Sequence, residues 1–220
     1  MNNVIIVAGG KGMRMGGDFP KQFIAVGGKP ILMRTIEAFY TYDKSIRIIV
    51  VLHSSYRDHW IRVCKGYGFN ISHHIADGGE TRFHSVKNGL SMVDSGYVAV
   101  HDAVRPFVSN ELIEECFSKA IEYKAVIPVI EMTDSLREII DAEHSTIVNR
   151  SNYRMVQTPQ VFEVDLLRKA YEQPFSEMFT DDASVVEAYG DNIHLVQGER
   201  TNIKITTPFD LELAEVILKS

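Results

Sequence analysis

The sequence predicts an α/β fold: a mostly parallel sheet covered on both faces by helices. Apolar runs alternate with amphipathic stretches along most of its 220 residues, which is the rhythm of β–α–β units. The first run, Val4-Ile5-Ile6-Val7-Ala8, opens directly into glycines, as a buried strand does where it meets its loop. With 45% hydrophobic and 24% charged residues, the composition supports a real core. The length fits one domain, read here as residues 1–220.

Taken in order, residues 4–8 form the first strand. The segment 31–40 has helical periodicity, 47–52 is a strand, and 56–65 is a helix with Asp58, His59 and Arg62 on its wet face and Trp60 as apolar filling. Residues 70–75 read as a strand, 82–93 as a helix, 97–101 as a strand, 110–122 as a helix and 125–129 as a strand. The rhythm breaks at 133–153, which is polar with apolar bursts at Leu136, Ile139-Ile140 and Ile147-Val148. That stretch is too polar for a core helix and too long for an ordinary loop. It is either a hairpin arm buried against a second subunit or an excursion packed on its own chain, and the residues alone favour the second. Helices follow at 163–173 and 182–189, and short strands at 193–196 and 202–205. The last helix has Thr207 as N-cap, Pro208 at its first position, and Asp210 and Glu212 at the positive end of its dipole.

Several function classes drop out. No apolar stretch approaches a membrane span. Net charge is −6 with no Lys/Arg-rich block, so a nucleic-acid footprint is absent. Cys64 and Cys116 sit in helical patterns and read as small apolar fillers, neither a disulfide framework nor a zinc site. Met1-Asn2-Asn3 leads straight into a strand with no export signal, so the expectation is a cytoplasmic protein with reduced thiols.

In parallel sheets, sites form at the carboxyl ends of strands. After the first strand come Gly9-Gly10-Lys11-Gly12-Met13-Arg14-Met15-Gly16-Gly17 and then Pro20-Lys21-Gln22-Phe23. Glycines let the backbone approach a ligand and point N–H groups at it. Arg14 and Lys21 add two cations, a combination suited to a nucleoside triphosphate. The alternative is a Gly-rich turn with two solvated cations. A dinucleotide fingerprint fails because Met15 stands where the third glycine belongs, which argues against a dehydrogenase. A P-loop fails because Phe23 and Pro30 flank Gly27-Gly28-Lys29.

Four further clusters carry possible chemistry. Asp77-Gly78-Gly79-Glu80-Thr81-Arg82 precedes a helix and forms either a polar cradle for a base edge or phosphate, or a plain helix-entry turn. Ser85 lies one turn on, able to face the same cleft. His101-Asp102-Ala103-Val104-Arg105-Pro106 closes the fourth long strand. Asp102 is placed to hold Mg²⁺, and Arg105 to pair with Asp102 or reach a ligand. His101, His73, His74 and His84 read as satisfied by backbone groups, since no second histidine lies at ligand spacing. Asp181 or Asp182 caps a helix, and Lys204 sits on a short strand. No Ser–His–Asp or Cys–His constellation stands out. The inventory of anion binders plus one metal ligand suits phosphoryl or nucleotidyl transfer.

Seven motifs occur in order: residues 8–15, 20–23, 78–85, 101–106, Thr158-Pro159-Gln160, Thr180-Asp181-Asp182-Ala183 and Asn202-Ile203-Lys204. Across residues 4–218 the chain resembles the sugar-alcohol-phosphate cytidylyltransferase family, in particular its methylerythritol phosphate branch. The resemblance implies a Rossmann-like nucleotidyltransferase three-layer sandwich, a homodimer, and a protruding β-arm at 133–153 that hooks the partner subunit. It implies transfer of CMP from CTP to 2-C-methyl-D-erythritol 4-phosphate with Mg²⁺. Ala8, Gly9 and Gly10 would line the nucleotide, and Gly79, Glu80 and Ser85 would read the cytosine. Arg14 and Lys21 would hold the triphosphate. Asp102 would hold the metal, with Ala103 and Arg105 beside it, and Lys204 would neutralise the α-phosphate. Ser135 and Arg150 would bind the alcohol phosphate from the neighbouring subunit. Two positions depart from the family pattern: Thr201 replaces an aspartate, and Ser135 stands where threonine is common. A ribitol 5-phosphate cytidylyltransferase and a catalytically idle CTP sensor are the alternatives. Arg14, Lys21, Asp102 and Lys204 together argue against the sensor, which needs no groups aimed at a leaving group.

Overall fold

The structure, a computed structural model, describes residues 2–9 and 20–219. Gly10 and Arg14 lie outside the described residues. In chain order, β1 (Asn2–Ala8) is followed by a short hairpin of β2 (Ala25–Val26) and β3 (Lys29–Pro30), then α1 (Ile31–Tyr42). Next come β4 (Arg47–Leu52), α2 (Arg57–Tyr67), β5 (His74–Asp77), α3 (Arg82–Leu90), β6 (Tyr97–Asp102), α4 (Asn110–Tyr123) and β7 (Ala125–Glu131). A second hairpin, β8 (Leu136–Ile139) with β9 (Ser145–Val148), precedes β10 (Arg154–Val156), β11 (Gln160–Glu163), α5 (Val164–Ala170), α6 (Asp182–Tyr189), β12 (His194–Gln197) and α7 (Pro208–Ile217).

The main sheet is mixed but mostly parallel. β1 lies at its centre with β4 and β6 parallel on either side, and β5 extends it beyond β4. Beyond β6, β11 runs antiparallel and links to β7, whose other partners are antiparallel β10 and parallel β12. Burial explains the near-continuous apolar strands. Val4, Ile6, Val50 and Leu52 pack into one core cluster with Leu32, Ile36 and Phe39 of α1 and Ile113 and Phe117 of α4. The intervening Ile5, Ile49 and Val51 face a second cluster with Phe83, Val86 and Leu90 of α3 and Leu167 of α5. Successive strand residues point to opposite faces, so only a chain apolar at every position can feed both clusters.

The predicted elements hold in the first half, with shifts where local chemistry intervenes. β5 begins at His74 rather than 70, because His73 turns aside: its Nε2 accepts from the Trp60 indole N–H at 2.9 Å and its Nδ1 reaches the Ile71 carbonyl at 2.8 Å. Trp60 is fully buried. His59 is not on the wet face; its ring is half-buried, 5.0 Å from the Phe23 ring. α3 stops at Leu90, and residues 202–205 form no strand, so Lys204 lies in an irregular extended segment pinned by Ile205 N–H to the Val104 carbonyl at 2.9 Å. The last helix starts as read, with a capping box between Thr207 and Asp210 and Pro208 in its first turn. Cys64 and Cys116 are both free, and burial pushes the thiols up to about 11 and about 12.

The short β2–β3 hairpin and two strands of the main sheet are not predicted by the sequence. β10 and β11 both run antiparallel to β7, but not in one register. Val156 opposes Val129 while Val161 opposes Val126, so residues 157–160 stand against Ile127 and Pro128 alone. This bulge throws Gln157, Thr158 and Gln160 toward the carboxyl end of β6. The β8–β9 hairpin pairs with itself only. Ile139 and Ile147 are each 72% exposed and Ile140 62%, which corrects the expectation that this segment packs on its own chain.

Gly89 shows how tightly α3 lies on the sheet. A Cβ there would meet Ile5 Cγ2 at 2.8 Å and Val51 Cγ2 at 2.9 Å. In an open helix Gly→Ala gains up to about 1 kcal/mol, whereas overpacking a core costs about 1–3 kcal/mol. Gly89→Ala is therefore expected to destabilise by about 1 kcal/mol, read as a lower urea midpoint with an unchanged slope. A stabilised variant would show that the contact relaxes freely.

Candidate active site

Three cavities lie side by side along the carboxyl ends of β1, β4, β5 and β6. The first, of about 620 Å³, is lined by Gly9, His53, Gly78, Gly79, Glu80, Thr81 and Ser85. The second, about 150 Å³, is lined by Val7, Ala8, Lys21, Gln22, Ala103 and Val104, with Asp102 and Lys204. The third, about 270 Å³, shares Asp102 and Lys204 and adds Arg82, Arg105, Gln157, Thr158, Gln160, Thr180 and Asp181. The structure thus brings together Ala8, Gly9, Lys21, Gly79, Glu80, Ser85, Asp102, Ala103, Arg105 and Lys204. It does not bring Ser135 or Arg150 to these cavities. Ser135 is exposed before β8, and an Arg150 guanidinium N–H is held by the Thr133 carbonyl.

The first cavity is built on backbone. Thr81 caps α3, accepting from His84 N–H, and Ser85 Oγ donates to the Thr81 carbonyl at 2.9 Å while accepting from Gly79 N–H at 3.0 Å. A Cβ on Gly9 would sit 2.9 Å from Ser85 Oγ, and one on Gly79 2.8 Å from the His84 backbone. A side chain on Gly9 would crowd the cavity at Ser85, and one on Gly79 would push the loop off α3. No Lys or Arg is among the described lining residues, and Glu80 adds negative charge, so the cavity suits a neutral polar ring better than a phosphate. His53 was not singled out from sequence. Its Nδ1 accepts from Ser55 N–H at 3.3 Å, which leaves Nε2 carrying the proton of the neutral ring.

The second cavity gets its cation from a short 3-10 turn, Lys21–Phe23. Gln22, 3% exposed, donates from Nε2 to the Ala8 carbonyl at 3.0 Å, and Phe23 wedges edge-on against Tyr56 and His59. These two anchors fix Lys21 at the end of β1.

Asp102 is the hub. Its Oδ2 accepts from Lys204 Nζ at 3.0 Å and from Arg105 Nε at 3.2 Å. Burial pushes its carboxyl up, but Lys204, Arg82 and Arg105 outweigh burial and hold it well below the usual carboxylate range. The aspartate is therefore ionised at any working pH. Arg105 is also tied to the Asn202 carbonyl at 2.8 Å, so both readings offered for it, turn-fixing and cavity-lining, are met by one side chain. Gln157 and Asn202, neither given a role from the sequence, close the back: Asn202 Nδ2 donates to the Thr158 carbonyl at 2.8 Å, and Gln157 Nε2 donates to that of Glu199 at 2.7 Å. Mg²⁺ commonly takes one or two carboxylates and completes its shell with water and substrate phosphate. A single ionised carboxylate fits that donor set, and no cluster of three or more His, Cys, Asp or Glu exists among the described residues.

His101, behind Asp102, is fully buried. Nε2 donates to the Arg105 carbonyl at 2.9 Å, Nδ1 accepts from Thr158 Oγ1 at 3.0 Å, and Thr158 Oγ1 accepts from Asp102 N–H at 3.1 Å. The backbone partner expected for it is present, and every proton is assigned. Burial lowers its pKa to about 4, against about 6.5 unfolded. Between those values the unfolded chain binds a proton that the folded chain refuses. The contribution is complete above pH 6.5 and fades as pH falls toward 4, by about 3 kcal/mol. Asp102 acts in a lower window, below about pH 3.9. Urea midpoints at pH 7.5 and 4.5 should fall accordingly, and His101→Asn should flatten the difference. An equal slope in that variant would remove His101 as the cause.

The profile of the family described as 2-C-methyl-D-erythritol 4-phosphate cytidylyltransferase matches residues 2–220. A relative of that name from Phocaeicola vulgatus is 59% identical over 98% of this chain and 99% of its own, and one from Bacteroides fragilis is 57% identical over 97% and 98%. The crystal structure of 2-C-methyl-D-erythritol 4-phosphate cytidylyltransferase from Thermus thermophilus is similar at a TM-score of 0.81 and 31% identity, with 100% of both chains covered. That of 4-diphosphocytidyl-2C-methyl-D-erythritol synthase from Anaerococcus prevotii gives 0.84 and 29%, covering 100% of this chain and 98% of that one. A family match along the whole length, with relatives of that name 57% and 59% identical, places this chain in the 2-C-methyl-D-erythritol 4-phosphate cytidylyltransferase family.

Proposed function

We propose that the chain transfers the cytidylyl group of CTP to 2-C-methyl-D-erythritol 4-phosphate, giving the cytidine diphosphate alcohol and pyrophosphate. The observation that carries this reading is the Asp102–Lys204 ion pair, shared between a small slot with Lys21 and a second cationic cavity to which Arg105 adds its charge. The base and ribose occupy the cradle of Gly9, Gly79, Glu80 and Ser85, with Ala8, Gly10 and Ala103 lining the nucleotide. The triphosphate runs past Lys21, and Arg14 would help hold it as the family resemblance implies. The alcohol phosphate enters on the far side of Asp102, where Arg82, Arg105 and Lys204 supply positive charge.

The attacking atom is an oxygen of the alcohol phosphate. Phosphate monoesters are ionised at neutral pH, so no strong general base is required. This oxygen bonds to the α-phosphorus, and the bond from that phosphorus to the oxygen bridging to the β-phosphate breaks. Both electrons leave with pyrophosphate. The barrier is the meeting of two anions. Lys204 lies between the two cavities and neutralises the α-phosphate, while Lys21 and Arg14 hold the departing charge. Asp102 would hold Mg²⁺, which supplies further neutralisation of the phosphates when bound.

Ser135 and Arg150 do not reach the cavities of their own chain, and the hairpin between them exposes three isoleucines. Both facts support a homodimer in which residues 133–153 complete the partner's alcohol-phosphate cavity. Among the described residues no helix is long and apolar enough to cross a membrane. Cys64 and Cys116 are free, which suits the reducing cytoplasm.

The direct test is pyrophosphate release from CTP and Mg²⁺ with 2-C-methyl-D-erythritol 4-phosphate, run beside ribitol 5-phosphate. Turnover with the first alone is expected; turnover only with ribitol 5-phosphate, or none with either, overturns the reading. Lys21→Ala should lower turnover at saturating CTP by about 100-fold or more, the loss typical of one donor at a charged transition state, while moving stability by less than about 1 kcal/mol. Near-normal turnover removes Lys21 from catalysis. The double variant Ile139→Asp/Ile147→Asp should run as a monomer in light scattering and lose turnover, with its far-UV circular dichroism little changed. A dimer of full activity would refute the arm's role.

A further inference from the structure

The third cavity has one wall that no catalytic role accounts for. Thr180 and Asp181 line it from the start of α6, and the next residue, Asp182, is fully buried. Its carboxylate accepts a bidentate pair from Arg82, Nη1 to Oδ1 at 3.0 Å and Nη2 to Oδ2 at 2.6 Å. Tyr171 Oη donates to the same Oδ1 at 2.6 Å. Gln160, 1% exposed, completes the knot. Its Oε1 accepts from the backbone N–H groups of Asp182 and Ala183 at 3.1 and 3.0 Å, and its Nε2 donates to Asp181 Oδ2 at 2.8 Å.

Arg82 differs from its partner in one respect. The Asp182 side chain has no accessible surface, whereas that of Arg82 keeps 28% and lines the cavity. Arg82 also opens α3, whose N-cap Thr81 lines the base cavity. The guanidinium therefore stands between two walls that are 100 residues apart in sequence. The base wall does not depend on it, because Thr81, Ser85 and Gly79 bond to one another and Asn88 Nδ2 donates to the Asp77 carbonyl at 2.9 Å. The α6 wall does depend on it: Gln160 ties the main chain there, but among the described residues Arg82 is the one cation paired with the buried Asp182 carboxylate, which stays ionised and in place only while so paired.

We infer that Arg82 is a positioning residue for the alcohol-phosphate substrate: through its fork on Asp182 it holds Thr180 and Asp181 as a wall of that substrate's cavity, while the nucleotide cavity stands without it. This rests on the proposed cytidylyl transfer and assigns a selective role within it. The fork geometry matters, because a lysine carries the charge but reaches one oxygen as a point donor and not two in a plane.

The test is steady-state kinetics with both substrates varied, together with calorimetric CTP binding in Mg²⁺, for Arg82→Gln, Arg82→Lys and Tyr171→Phe. Arg82→Gln should raise KM for 2-C-methyl-D-erythritol 4-phosphate by about tenfold or more, as displaced substrate-positioning groups do. CTP affinity should stay within about threefold, and retained CTP binding also shows that the variant folds. Arg82→Lys should recover part of the loss. Tyr171→Phe, which keeps the fork and removes one hydrogen bond, should move the same KM in the same direction by less. Unchanged KM for the alcohol phosphate in Arg82→Gln, or equal loss for CTP and alcohol phosphate, overturns the inference. If Arg82→Gln does not bind CTP, Tyr171→Phe decides: a selective rise in KM for the alcohol phosphate sustains the inference, and none overturns it. Absence of transfer by the wild-type chain would instead defeat the functional reading on which it stands.

Discussion

Two cations on one carboxylate oxygen organise this molecule. Without an anionic ligand, Lys204 and Arg105 would repel each other across a confined cleft, and neither would hold a position worth having in a reaction. Asp102, at the end of a central strand, gives both a common partner at 3.0 and 3.2 Å. The groups are set before any substrate arrives, so little reorganisation is left for the moment when charge moves. Much of the surrounding structure serves this one carboxylate. The parallel core carries β6 to the right depth, neutral His101 supports its main chain through Thr158, and Arg105 bridges it to the segment that bears Lys204.

Charge is handled locally. The chain as a whole is acidic, with net charge −6, yet the strip between the first and third cavities gathers Lys21, Lys204, Arg105 and Arg82, of which Lys204 and Arg105 pair with Asp102 and Arg82 with Asp182. An acidic exterior does not prevent polyphosphate binding, because exposed charges are screened over about 10 Å in ordinary salt. The cations at hand are closer than that and partly withdrawn from water.

How much of this the sequence disclosed depends on whether a feature is local. β1, β4, β6 and β7 and the helices between them were legible, since near-continuous Val and Ile runs and 3.6-residue periodicity are carried within each segment. The caps at Asp181 and Thr207 were legible for the same reason. The antiparallel β10 and β11 were not, because Arg154–Val156 is exposed and Gln160–Glu163 is too short for a pattern, and both owe their conformation to β7 and β6. At the site, Asp102 and Lys21 announced themselves by type and loop position, and Ser85 by helical spacing. Taken by itself Lys204 reads as a lysine on an expected strand, its α-phosphate role comes from the family resemblance alone, and its placement depends on a contact with Asp102, far away in the chain. Arg82, Gln157, Gln160 and Asn202 were within or beside motifs already noticed but had no signal of their own. Each acts by reaching backbone or carboxylate distant in sequence, a relation that one-dimensional spacing does not encode. Asp182 was offered as a helix cap, and the structure gives that task to Asp181 while Asp182 goes to Arg82.

The bulge between β10 and β11 has a bearing on how such a site can change. Four residues stand against two, so the surplus is even. Side chains in a strand alternate with a period of two, and an even surplus returns the later residues to the same sides they would have taken without it. The loop that carries Gln157, Thr158 and Gln160 can thus be lengthened or trimmed in pairs while Val161 and Phe162 remain in their separate core clusters. An odd change would turn the strand inside out. Parity therefore allows substrate-facing chemistry here to vary by descent without asking the sheet to be rebuilt.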